Sequence, residues 1–253
     1  MLQRLILEMI RFFHTQSFFE TGTHYGHSTF FVAWKTRGLK IYTCELKEEV
    51  YRIAKSRLGH FPNISVANES SEKWLHRLLS ESRILGRPCF YLDAHWYDHW
   101  PLEDEVEIIT HNVNQAIIII DDFQVPGRED FAYDIGGGGS RDYSGRTTFD
   151  ERPCNLELIK PRLNLDNHYD LLFPNYTLEE AYSGAAGSKL QGHVVIFQNL
   201  ESEFRRFGVP EGYRTLVLGK GVRTEPQTAQ KSGGIDQAEA GKGSVSGGKG
   251  RQR

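Results

Sequence analysis

The stretch Ala116-Ile117-Ile118-Ile119-Ile120, closed by Asp121-Asp122, constrains this chain more than any other segment. Five consecutive apolar residues are far too few to span a bilayer, and they suit a strand buried on both faces. Such a strand belongs inside a parallel sheet covered by helices on each side. The preceding sequence supplies the partners. Leu2, Leu5, Ile6, Met9, Ile10 and Phe13 recur at helical spacing over residues 2–13. Strand-like runs follow at 17–20, 40–44, 64–67 and 89–92, separated by helical patterns at 29–35, 47–58, 71–79 and, before the apolar run, 102–112. The expected fold is therefore α/β: a doubly wound, mostly parallel sheet with helices on both faces. Residues 169–173 and 193–197 are expected to close it as an antiparallel, hairpin-like last pair. Residues 125–155, with Pro126 and the Gly136–Gly139 run, read as a long irregular loop of the kind that carries function.

Charge divides the chain in two. Residues 1–218 hold 23 basic and 30 acidic residues, a net of −7, whereas residues 219–253 hold seven basic and three acidic, a net of +4. A negative body is a poor nucleic-acid binder, because that affinity rests on neutralising phosphates. The last 35 residues contain nine Gly and no aromatic residue, so they cannot bury enough surface to offset the entropy of ordering. The expected organisation is one domain over 1–218 and a disordered Gly/Lys-rich tail over 219–253. The N-terminal pattern carries Arg4, Glu8 and Arg11 and has no small-residue cleavage site, unlike a secretory signal. Cys44, Cys89 and Cys154 show no metal or disulfide spacing and read as small buried hydrophobes. A cytoplasmic protein without membrane or nucleic-acid partners is expected, with oligomerisation left open.

Four acidic strand ends carry the candidate chemistry. Glu20-Thr21-Gly22-Thr23-His24-Tyr25-Gly26-His27-Ser28 lies between the first strand and its crossover helix, where open α/β sheets bind ligands. Gly22 and Gly26 allow a tight turn and close backbone approach to a ligand, and Ser28 is placed to cap the helix. The spacing is neither GxGxxG nor a GxxxxGK[ST] phosphate loop, and Glu20 would repel a pyrophosphate. A carboxylate there suits an ammonium. Glu45 follows the second strand, either as acceptor for both hydroxyls of a ribose or as a first-turn acid favoured by the helix dipole. Together these residues describe a nucleoside ligand bearing an ammonium.

In these motifs the chain resembles class I S-adenosylmethionine-dependent methyltransferases. ETGTHYGHS is similar to their E/D-x-G-x-x-x-G-x-S motif, CELKEEVYRIAKSRL to their second-strand acid and helix, and VANESSEKWL to the segment flanking adenine. The resemblance, over roughly residues 15–200, implies S-adenosylmethionine as cofactor. It implies Gly22, Thr23, Gly26 and Ser28 around its methionine and ribose parts, Glu45 on the ribose hydroxyls and Ser70 near the adenine, beside Glu20 as the acid suited to the ammonium.

Asp93 ends the fourth strand, and Asp121 and Asp122 end the fifth. If those strands are neighbours, three carboxylates meet at one sheet edge, where they repel unless protonated or bound to a hard cation such as Mg²⁺. The alternative is a helix cap and a solvated loop end. YLDAHW and IIIIDDF resemble the metal-dependent O-methyltransferases of the catechol and macrocin type, which implies Asp93, Asp121 and Asp122 as metal ligands and a small-molecule hydroxyl as acceptor. The chain departs from the catechol-type pattern in lacking a lysine shortly after Asp93. His95 stands there as a candidate base beside Asp93, or as a residue lining the pocket. Trp96 and Trp100 read as a stacking wall or as core, and Arg128, Tyr133, Arg141, Tyr143 and Arg146 as lid or solvated loop. A cephalosporin-hydroxylase-like relative and a non-catalytic cofactor-binding protein share the same motifs.

A chain lacking Gly219–Arg253 is expected to keep its melting temperature and its affinity for S-adenosylhomocysteine. Calorimetry of the truncated chain checks this, and a loss of cooperative melting would make the tail structural.

Overall fold

The computed structural model describes residues 1–81, 84, 86–95, 100–135, 152–181 and 190–220. The tail beyond Lys220 lies outside the described residues, as do Trp96, Tyr97, Arg141, Tyr143 and Arg146.

The amphipathic pattern at the N-terminus forms α1 (Leu2–Phe12), which delivers the chain to β1 (Ser17–Thr21). Alternation then runs through α2 (His27–Lys35), β2 (Lys40–Cys44), α3 (Glu48–Leu58), β3 (Ile64–Ala67), α4 (Ser71–Ser80), β4 (Pro88–Leu92), α5 (Leu102–Asn112) and β5 (Ala116–Asp121). Later come β6 (Phe131–Ala132), α6 (Leu156–Ile159), β7 (Tyr169–Pro174), α7 (Leu178–Ala181), β8 (Leu190–Gln191), β9 (His193–Gln198), α8 (Glu201–Phe207) and β10 (Tyr213–Leu218). The main sheet has the order β10-β7-β9-β5-β4-β1-β2-β3. Strands β1 to β5 are mutually parallel, and β9 runs antiparallel to both β5 and β7. This is the expected doubly wound α/β sheet, with its strand order reversing between β1 and β4.

Period-two alternation in the strands feeds two separate cores. Phe19, Phe90, Ile118 and Ile120 face α4, α5 and α6, packing on Trp74, Leu75, Val106 and Ile159. Phe18, Tyr91, Ile117 and Ile119 face the opposite way, onto Leu5, Met9, Val32 and Phe204 of α1, α2 and α8. Residues 116–120 are buried throughout, which is why that run needs no polar side chain. Across the reversal point Phe19 stacks between Tyr42 of β2 and Phe90 of β4, with ring centroids 5.0 and 4.9 Å away. Those partners are also its registered neighbours in the sheet. Cys44, Cys89 and Cys154 are free and buried, as expected of small hydrophobes. No helix among the described residues is long and apolar enough to cross a membrane.

Three local expectations need correction. Helix α2 starts at His27 with Gly26 at its N-cap, so Ser28 lies inside the first turn and does not cap it. Runs 169–173 and 193–197 do pair antiparallel, but as β7 and β9, with α7 and β8 between them in the chain and β9 inserted next to β5. Residues 213–218 form an edge strand that pairs antiparallel with β7 and was not expected. Its half-exposed residues follow no regular alternation, so it lacks the pattern by which a strand is read.

Candidate cofactor and metal site

The turn after β1 is fastened to both neighbouring strands. The N–H groups of Gly22 and Thr23 donate to the Cys44 carbonyl at the end of β2 (3.1 and 2.9 Å), and the Asp93 N–H donates to the Thr21 carbonyl (3.2 Å). Gly22 and Gly26 have φ of 77° and 76°, a region in which a Cβ is strained. The space a Cβ would need is taken by protein. At Gly22 it would lie 2.6 Å from the Asp93 carbonyl oxygen, and at Gly26 3.0 Å from Leu58. Both glycines therefore let the turn pack closely on the end of β4 and on α3.

Glu20 is the fourth residue of β1 and lies buried beneath the turn, not within it. Its Oε2 accepts hydrogen bonds from the hydroxyls of Thr29 and Thr43, the latter at 2.9 Å. Thr43 Oγ1 is 2.5 Å from Thr23 Oγ1, and since Thr43 spends its proton on Glu20, Thr23 must be the donor. Burial pushes the Glu20 carboxyl up to about 7, against the pull of the two hydroxyls.

Glu45 stands two residues before Lys47, the N-cap of α3, so it is not a first-turn acid of that helix. Oε2 accepts the His24 N–H and Oε1 the Lys47 N–H, each at 2.9 Å, so the carboxylate ties the turn to the start of α3. A carboxylate has about four acceptor sites, which leaves room for two ribose hydroxyls. Ser70 is the N-cap residue of α4, and its Oγ is buried without a hydrogen-bond partner among the described residues. Glu105 of α5 is fully buried and its carboxyl is raised to about 8 by that burial. The hydroxyls of Ser71 and Thr21 lie near enough to moderate this push, yet neither carboxyl oxygen has a partner in hydrogen-bonding geometry.

At the ends of β4 and β5, Asp93, His95 and Asp122 each bring one ligand atom within 4.8 Å of the others. Asp122 has φ of 51°, a left-handed conformation that Asp tolerates better than most residues, and its Oδ1 is buried and unpartnered. Asp121 stands beside this group but is otherwise engaged, since Oδ2 accepts the Tyr91 hydroxyl and Oδ1 the Asp122 N–H (3.1 Å). His95 is exposed, with Nδ1 4.0 Å from Asp93 Oδ1 and 3.6 Å from Asp134 Oδ2. Burial, then Asp121 and Asp122, push the Asp93 carboxyl up to about 9, although its side chain remains 30% exposed and water screens part of that push. Burial, then Asp121 and Asp134, raise Asp122 to about 7. Burial also raises Asp121, and the Tyr91 hydroxyl pulls it back.

Asp134, Tyr91 and Thr43 escaped the sequence reading. Asp134 is docked by its own N–H on the Asp122 carbonyl (2.8 Å), a contact across twelve residues of loop that no local pattern announces. Tyr91 and Thr43 sit two residues before Asp93 and Glu45, on the same strand face, so polar groups at that spacing were the available signal. Arg128 braces the loop, pairing with Asp130 at 2.6 Å and donating to the Tyr176 carbonyl at 2.8 Å. Tyr133 is half-buried, and Trp100 packs on the core beneath α4 and α5.

At the level of sequence, no protein-family model and no curated protein matches the chain. Among solved structures it is similar to an O-methyltransferase from Bacillus cereus in complex with S-adenosylhomocysteine, at 15% identity and a TM-score of 0.48 over 78% of this chain and 80% of that one. A putative O-methyltransferase from Klebsiella pneumoniae is 14% identical, with a TM-score of 0.49 over 78% and 80%. A putative caffeoyl-CoA O-methyltransferase from Staphylococcus aureus is 14% identical, with a TM-score of 0.47 over 78% and 82%.

Two outcomes follow from the geometry. Gly22→Ala should destabilise the fold by more than about 1 kcal/mol, because it adds a positive-φ penalty to a collision with backbone. Urea unfolding measures this, and a neutral result would mean that β4 yields. Asp93, Glu105, Glu20 and Asp122 all have folded-state pKa values above those of an unfolded chain, so the folded state holds more protons from about pH 4 to about pH 9. Stability in EDTA should accordingly fall as pH rises from 6 to 9, less steeply in Asp93→Asn. A melting temperature that climbs over that interval would contradict the assignment.

Proposed function

We propose that the chain is an S-adenosylmethionine-dependent O-methyltransferase acting on a small-molecule hydroxyl, with Mg²⁺ held at the ends of β4 and β5. One observation carries the reading: Gly22 rests on the Asp93 carbonyl, so the cofactor turn and the acidic edge share a wall. A methyl donor seated in the turn then lies next to an acceptor seated at the aspartates, as in-line transfer requires.

The residues present fit both groups. For the cofactor, Glu45 offers its remaining acceptor sites to ribose hydroxyls, Ser70 an unpartnered hydroxyl near the adenine, and Glu20 a negative charge below the turn for the ammonium. For the cation, Asp93 and Asp122 supply hard oxygen donors, including the orphaned Oδ1 of Asp122, with His95 or Asp121 completing the protein's share. When bound, Mg²⁺ would lower the acceptor hydroxyl's pKa and orient its oxygen. The protein's own part is to position and to exchange a proton. As the acceptor oxygen takes the methyl group from sulfur, its proton leaves to the His95 imidazole or to solvent beside it. Asp134 faces His95 and orients the ring for that exchange. The net charge of −7 on residues 1–218 favours a small acceptor over nucleic acid.

Transfer from labelled S-adenosylmethionine to a panel of phenols and polyols tests the reading. Activity should require Mg²⁺, be abolished by EDTA, and fall by orders of magnitude in Asp122→Asn, whose metal-free fold should be no less stable than the parent because a like charge is gone. Turnover that survives both EDTA and Asp122→Asn would remove the metal from the mechanism. Failure to bind S-adenosylhomocysteine at all would remove the function.

A further inference from the structure

The opposite edge of the sheet carries a second polar site. Where β1 and β2 begin, a cleft of about 460 Å³ is lined by Arg11 and His14 after α1, by Thr15, and by Lys35 and Arg37 around the end of α2. No acidic residue lines it, in a body that is net negative. Among the described residues no carboxylate pairs with Arg11, Lys35 or Arg37, and the Lys35 ammonium lies 4.2 Å over the Trp34 ring, an arrangement that leaves its charge in place. The Thr15 hydroxyl is buried with no hydrogen-bond partner, and Thr15 is 8% exposed.

Part of this basicity has an ordinary cause. Arg11 and Lys35 occupy last helical turns, where the helix dipole favours cations. Two helix C-termini contribute roughly −0.5 charge each, against three full positive charges, which leaves about +2. The dipoles account neither for Arg37 and His14, which lie beyond the helices, nor for the unpartnered hydroxyl of Thr15, a lining residue. An oxyanion would satisfy all of them: its charge matches the surplus, and its oxygen accepts from Thr15 and from the guanidinium forks.

We infer that this cleft binds the phosphate group of a small phosphorylated molecule, at a site separate from the acidic edge at the other end of the strands. Calorimetric titration of the full chain with inorganic pyrophosphate, in EDTA and against sodium chloride of equal ionic strength, tests it. Saturable binding is expected, weakened at least tenfold in Arg11→Gln/Arg37→Gln and severalfold in Thr15→Val, with S-adenosylhomocysteine binding unchanged in both. Arg37→Gln alone, outside any helix, serves if the double variant does not fold. Absence of saturable heat, or equal affinity in the arginine variants, would overturn the site. Sedimentation with phosphatidylcholine vesicles containing phosphatidic acid separates the sources: Arg37-dependent capture by vesicles, without pyrophosphate binding, would overturn the soluble ligand in favour of a lipid headgroup.

Discussion

The contact between Gly22 and the Asp93 carbonyl sits where the sheet's order reverses, and much of the molecule follows from it. Strands to either side of β1 send their crossovers to opposite faces, so the loops diverge and leave a crevice at the carboxyl edge. A residue with a Cβ at position 22 would hold the turn away from β4 and widen that crevice at its base. Glycine lets the turn close on β4 while the Cys44 carbonyl holds it to β2. Three strand ends are thereby fixed as one surface, and Glu20, Glu45 and Asp93 keep their relative positions without any one element being long.

Beneath that surface the rigidity is apolar. Phe19 lies between Tyr42 and Phe90 on one face, and Phe18 stacks with Tyr91 on the other, their centroids 6.5 Å apart. Offset aromatic pairs contribute about 0.5–1.5 kcal/mol beyond area burial, and here they join the strands whose ends carry the acids. Tyr91 extends this support to the chemistry itself, because its ring packs in the core while its hydroxyl holds Asp121.

How far the sequence foretold this depends on the range of the interactions. The five parallel strands were legible because burial on both faces writes an unbroken or alternating apolar run, as residues 116–120 do. The acids at 45, 93 and 121–122 were legible because strand ends converge in any doubly wound sheet. Ser28 misled because the chain offered two ways to start α2, and Gly26 in a left-handed conformation put the helix start two residues earlier. The grouping of His95 with Asp93 and Asp122, and the Tyr91 hydroxyl bound to Asp121, are set by side-chain geometry that spacing along the chain does not give. Asp134 and the edge strand β10 depend on tertiary contacts with Asp122 and β7, for which no spacing rule exists.

The distribution of charge completes the argument. Asp93, Asp121, Asp122 and Asp134 crowd one edge of the sheet, and the last three each raise the cost of ionising Asp93. Burial alone would drive these groups to be replaced or permanently protonated, and a fold with only a small margin of stability does not carry such a cost without return. Two of them keep water contact, Asp93 at 30% and Asp134 at 39% side-chain exposure, so the cluster stays open to an incoming cation. The buried groups behind it, Glu20 and Glu105, have no such access, and burial pushes their carboxyls up to about 7 and about 8. The edge thus holds an assembled repulsion, which any positive charge brought to it would relieve.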